Sequence, residues 1–153
     1  MRILENAADK IREFNNYPDR LRESYHNVLT ERRGRKSFVS ENGDTSDRHL
    51  YLIDRALRSY FMMNRGNRMG GSESFVSKLG NILRDNETKN ILAQIRDLTI
   101  TAHNLQEYKL NSENLYESFS NPEHGLSADG TYFCVGATKV LHCLFPELFV
   151  MLD

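Results

Sequence analysis

From Leu50 to Phe61 the large apolar residues fall at Leu50, Ile53, Leu57, Tyr60 and Phe61, a spacing that gathers them on one stripe of an α-helix. The same period recurs on either side. Ile3, Leu4, Ala7, Ala8, Ile11 and Phe14 make one stripe, and Leu21, Tyr25, Val28 and Leu29 another. Further on come Phe75, Val76, Leu79, Ile82 and Leu83, then Ile91, Leu92, Ile95, Leu98 and Ala102. A helix with one apolar stripe has to bury it against a neighbour, so successive stripes specify helices packed on helices. The prediction is an all-α, compact orthogonal multi-helix domain of about six to eight helices.

Punctuation between the stripes sets the expected boundaries. Pro18 suits the first residue of the second helix and Gly34 its stop. Residues 37–46 carry turn chemistry and read as a loop or a short hairpin around Asn42-Gly43. Thr45 or Ser46 caps the third helix, Ser72 the fourth, and Ser112 one of the one or two short helices expected between His103 and Asn121. Asn121-Pro122-Glu123-His124-Gly125 forms a turn, and Ser127 opens the last helical region. Nothing repeats at a fixed period and no linker divides the chain, which predicts a single domain over residues 1–153 with a weak seam near residue 125.

Composition narrows the class. With 153 residues, 39% hydrophobic and 27% charged, the chain has enough apolar surface to form a core without metal or disulfide staples. The longest apolar stretch, Tyr132 to Leu152, is interrupted by Lys139, His142, Pro146 and Glu147. It predicts a buried helix and no membrane span. The N-terminal residues alternate charged with apolar side chains and lack the apolar stretch of a secretory signal, which predicts a cytoplasmic protein. Cys134 and Cys143 stand nine positions apart on one predicted helix, about 13 Å at ~1.5 Å per residue. They are too far apart to pair and suit a reducing compartment.

A net charge of −1 conceals an asymmetry. Residues 1–84 hold 16 Lys/Arg against 11 Asp/Glu, a net of +5, whereas residues 85–153 hold 4 against 10, a net of −6. Arg32, Arg33, Arg35 and Lys36 form one basic cluster. On the third helix Arg48, Arg55, Arg58 and Arg65 fall opposite the apolar stripe, and Arg68 follows in a glycine-rich stretch. Arginine's planar fork matches phosphate and carboxylate, so this face is a candidate surface for nucleic acid or an acidic protein partner; a solvated face is the plainer reading. The stretch from Arg65 to Ser72 leads into a helix start, where free backbone N–H groups can hold an anion, or it is a simple interhelical connection. The five histidines are dispersed and no cysteine pair has ligand spacing, so no metal site and no cofactor are expected.

The closing segment carries a resemblance. Val135-Gly136, then Ala137-Thr138-Lys139, an apolar helix, Pro146, Phe149 and Asp153 resemble the central signature of the helix-hairpin-helix DNA glycosylase superfamily. They are also similar to a Thr-Lys, Leu-His, Pro-Glu-Leu-Phe, Asp motif of helical prokaryotic proteins. Cys134 stands where the superfamily hairpin carries a further glycine. The glycosylase resemblance implies Lys139 as the amine nucleophile, Asp153 as the carboxylate that stabilises charge on the sugar, and Gly136 as the point where backbone N–H groups approach a phosphate. The alternative for Lys139 is structural, with its stem along the core and its ammonium reaching water. The apolar ending Phe149-Val150-Met151-Leu152 predicts an end covered by a partner, a second copy or further chain. Two functions are therefore expected to compete: a macromolecule-binding module with an arginine face, and a glycosylase-like nucleic-acid enzyme or a fragment of one.

Overall fold

The computed structural model describes residues 19–31, 38–59, 61, 68–99, 101 and 105–149. Among them the chain forms six α-helices: α1 (Asp19–Glu31), α2 (Asp47–Ser59), α3 (Ser72–Arg84), α4 (Asn86–Ile95), α5 (Lys109–Ser120) and α6 (Cys134–Leu144). Short 3-10 turns at Leu105–Tyr108 and Pro122–His124 flank α5. No strand occurs among the described residues, and one antiparallel bridge joins Val39 to Thr45. The fold is all-α, as the repeated stripes predict. The earliest predicted helix (residues 3–14), Gly34, Tyr60 and Ala102 lie outside the described residues.

Local chemistry explains the boundaries. Ser46 starts α2: its carbonyl accepts from Leu50 N–H at 3.2 Å and its hydroxyl from His49 N–H at 3.4 Å. Asp47 in the first turn and Arg58 in the last oppose the helix dipole favourably. Asp85 serves two helices at once. Its N–H closes α3 on the Ile82 carbonyl, and its carboxylate accepts from the Glu87 and Thr88 amides to open α4. Those amide bonds, the one to Thr88 foremost, hold the Asp85 pKa below the ordinary carboxylate value.

Several expected boundaries shift. Gly71, not Ser72, is the N-cap of α3, because the Ser72 hydroxyl is turned to donate to the Asp54 carboxylate. Ser112 sits inside α5 and donates to the Tyr108 carbonyl at 3.1 Å, the back-bond a mid-helix serine makes when it is not a cap. The last helix begins at Cys134 rather than Ser127, because the Asp129 carboxylate accepts from the Ser127 and Thr131 hydroxyls and the Thr131 amide, winding residues 127–131 into a turn. α4 ends at Ile95, so Leu98 packs from beyond the helix. The expected Asn42-Gly43 turn forms. Ser40 N–H donates to the Asp44 carbonyl at 2.8 Å. Gly43, at φ +81, lies so close to α4 that a Cβ would stand 2.1 Å from the Lys89 carbonyl oxygen.

Packing centres on α2 and α6. α2 lies against α1, α3 and α6, and α6 against α2 and α5. Leu50, Ile53, Ala56 and Leu57 of α2 are buried, each large one contributing roughly 1.5–3 kcal/mol. Every residue of α6 from Gly136 to Leu141 is buried, as expected of a helix surrounded by its neighbours. Around residue 125 the chain is stitched to what precedes it: Ala128 N–H donates to the Arg68 carbonyl at 2.6 Å and Phe133 N–H to the Ser120 carbonyl at 2.8 Å.

Candidate functional site

Lys139 lies midway along α6 and is only 6% exposed. Its Nζ stands over the Phe61 ring, 5.5 Å from the centroid. Phe61 in turn meets Tyr25 of α1 edge to face, with centroids 5.4 Å apart. One turn beyond Lys139, His142 bonds to Phe149 and to Tyr25, and its roles there follow from those partners. The Phe149 carbonyl can only accept, so Nδ1–H donates to it at 2.8 Å. In neutral imidazole Nε2 is then the acceptor, and it takes the Tyr25 O–H at 2.7 Å. α1, the end of α2, α6 and the turn after α6 meet at this cluster.

Phe61 bears on what Lys139 can do. An ammonium over an aromatic face is attracted by the ring quadrupole, whereas a neutral amine gains little there. A nucleophilic lysine must also reach its substrate, and at 6% exposure Lys139 is enclosed by its neighbours. Asp153 lies outside the described residues, so the expected Lys139–Asp153 pair has only one member placed. Gly136 has a packing reason to be glycine. A Cβ there would fall 2.1 Å from the Phe133 ring, which folds back over the helix start.

The arginines expected to share one face divide. Arg48 has 74% of its side chain exposed and pairs with Glu31 of α1 at 2.9 Å. Arg55 is exposed and makes no ion pair among the described residues. Arg58 turns inward: its Nε donates to buried Asp54 at 2.8 Å and its Nη1 to the Gly70 carbonyl at 2.8 Å. Two of the donors that Arg58 is expected to offer on an anion-binding face are thus engaged within the fold, since a buried carboxylate one turn away takes the nearest cation. Arg68 is 59% exposed and lies 3.8 Å from Asp129, and Arg65 is outside the described residues. Through Arg58 and the Ala128 bond, residues 68–70 serve as an interhelical connection.

The acidic half forms a second feature that the sequence reading did not place. A cavity of about 620 Å³ between α3, α4 and α5 is lined by Lys78, Asp85, Glu87, Glu117 and His124 among others. A groove of about 570 Å³ between α5 and the turn after α6 has Tyr116, Leu148 and Phe149 along its floor, with Glu113 and Glu117 at its rim. A hydrogen bond with Cys134 pushes the Tyr116 pKa up to about 12, which keeps that ring neutral. The net charge of −6 over residues 85–153 is the only sequence signal for this surface.

Among the described residues no group of three His, Cys, Asp or Glu side chains is placed to hold a metal ion. No helix among them is long and apolar enough to cross a membrane. No protein-family model, curated protein or solved structure matches the chain significantly.

Proposed function

We propose that this protein is a helical binding module that holds an anionic macromolecule, nucleic acid or an acidic protein, against the arginine-bearing side of α2. The reading is carried by the contact between Arg48 and Glu31. Glu31 is the last residue of α1, and Arg32-Arg33-Gly34-Arg35-Lys36 follows it directly in sequence. That pair joins the end of α1 to α2, where exposed Arg48 and Arg55 stand two turns apart, about 10 Å along the axis. An exposed ion pair such as Arg48–Glu31 is worth at most about 1 kcal/mol, so a phosphate or carboxylate can displace it.

Fluorescence anisotropy tests the reading with two probes, a labelled 20-base-pair duplex and labelled polyglutamate, across a salt series. Arg48→Glu combined with Arg55→Glu is expected to weaken binding at least tenfold and to lower the salt slope on duplex DNA by about two. Unchanged affinity for both probes would mean that the arginines are only a solvated face. A preference between the probes distinguishes nucleic acid from an acidic protein. The glycosylase-like reading needs Lys139 Nζ to reach a sugar, and burial of that residue at 6% exposure argues against it.

A further inference from the structure

We propose that the groove between α5 and the turn after α6 is a docking site for a cationic amphipathic segment of a protein partner. It is independent of the arginine surface of α2 and opposite to it in charge. The floor is apolar, built from Tyr116 of α5 and from Leu148 and Phe149 of the turn. Phe149 is held in place because its carbonyl accepts from His142 and its N–H donates to the Phe145 carbonyl at 3.0 Å.

The rim supplies charge. Glu113 and Glu117 stand one turn apart on α5, and Glu117 also lines the neighbouring cavity with Glu87 and Asp85. The charged groups among the described lining residues are Lys109, Glu113 and Glu117, a net of −1 (one cation, two carboxylates), with Lys109 and Glu113 paired at 3.7 Å. Carboxylates therefore flank an apolar trough on a helix that carries Glu113 and Glu117 on its exposed side. A helix laid in a groove presents apolar anchors at i, i+3, i+4 and i+7. A partner with Leu- or Phe-type anchors and Lys or Arg beside them satisfies both halves of this surface. An acidic or uniformly polar segment satisfies neither. Complementary charge of this kind raises the rate of encounter and selects the partner, while buried apolar anchors supply most of the affinity.

The test uses the full chain and a fluorescein-labelled 14-residue Leu/Lys amphipathic helix, read by anisotropy. A scrambled peptide of the same composition and charge, with no apolar stripe, is the comparison probe. Wild type is expected to bind the amphipathic probe about tenfold more tightly than the scrambled one. Glu113→Gln with Glu117→Gln is expected to weaken the amphipathic probe by about tenfold, and Phe149→Ala by a similar factor. Glu23→Gln with Glu41→Gln, which removes the same charge elsewhere, is expected to leave affinity within about twofold. Circular dichroism and thermal unfolding of each variant separate lost binding from lost fold, and the two rim substitutions leave the apolar floor untouched.

Equal binding of the two peptides, or equal loss from the rim and remote pairs, overturns the proposal in favour of diffuse attraction. Concentration-dependent dimers in sedimentation velocity that vanish in the rim variant also overturn it, because the groove would then be filled by a second copy. These outcomes leave the duplex and polyglutamate results on α2 unaffected.

Discussion

Arg55 and Arg58 are three residues apart on α2, and the structure gives them opposite roles. Arg55 is exposed, whereas Arg58 neutralises Asp54, which is 3% exposed and also accepts from Ser72. Removing one partner of a buried pair leaves the other charge uncompensated. Arg58→Ala is expected to cost about 2–4 kcal/mol by urea denaturation, and Arg55→Ala no more than about 0.5 kcal/mol. A smaller difference would mean that water replaces the guanidinium at Asp54. The helical wheel places the two arginines near one another and distinguishes them poorly. The difference arises from Asp54 and from the Gly70 carbonyl, which reaches Arg58 only after α3 folds back on α2.

At the scale of elements, the start of α6 shows how side chains set a boundary that periodicity misses. Phe133 closes over the first turn of α6, and Gly136 is the residue that leaves room for its ring. Gly136→Ala is expected to destabilise the fold by about 1–3 kcal/mol in thermal or urea unfolding, the usual cost of overpacking, despite alanine's better helix propensity. Stabilisation would mean that Phe133 moves aside freely. Just upstream, the Asp129 turn has a pH signature. Hydrogen bonds from Ser127 and Thr131 lower the Asp129 pKa from 3.8 to about 2. A carboxylate whose folded pKa is depressed stabilises the fold above its unfolded value and loses that contribution as pH falls through its folded value. Urea midpoints are therefore expected to drop between about pH 4 and pH 2 in wild type, with a shallower drop in Asp129→Asn. Identical profiles would place the acid sensitivity elsewhere.

For the whole molecule, the two candidate surfaces divide along the charge asymmetry. α2 carries exposed Arg48 and Arg55, while α4 and α5 carry most of the carboxylates of the two hollows. α6 lies between α2 and α5 and packs on both. Lys139 belongs to that central helix. With Lys139 only 6% exposed and its Nζ over the Phe61 ring, borohydride treatment in the presence of duplexes bearing abasic or damaged sites is expected to trap no covalent adduct. An adduct that disappears in Lys139→Ala would establish the glycosylase-like chemistry instead.

The all-α class, the core residues of α2 and α3 and the Asn42-Gly43 turn are determined by the sequence alone, because period, turn chemistry and capping at Ser46 are properties of neighbouring residues. The candidate surfaces were legible only in part: exposed Arg48 and Arg55 follow from the wheel, and the acidic groove leaves only a charge imbalance. Tertiary structure decided that Arg58 turns inward, that Lys139 sits over Phe61, and that Tyr116 and Phe149, 33 positions apart in the chain, share one floor. Each of these depends on contacts between residues distant in sequence, whose partners are specified only when helices pack, and local periodicity carries no record of which helix will face which.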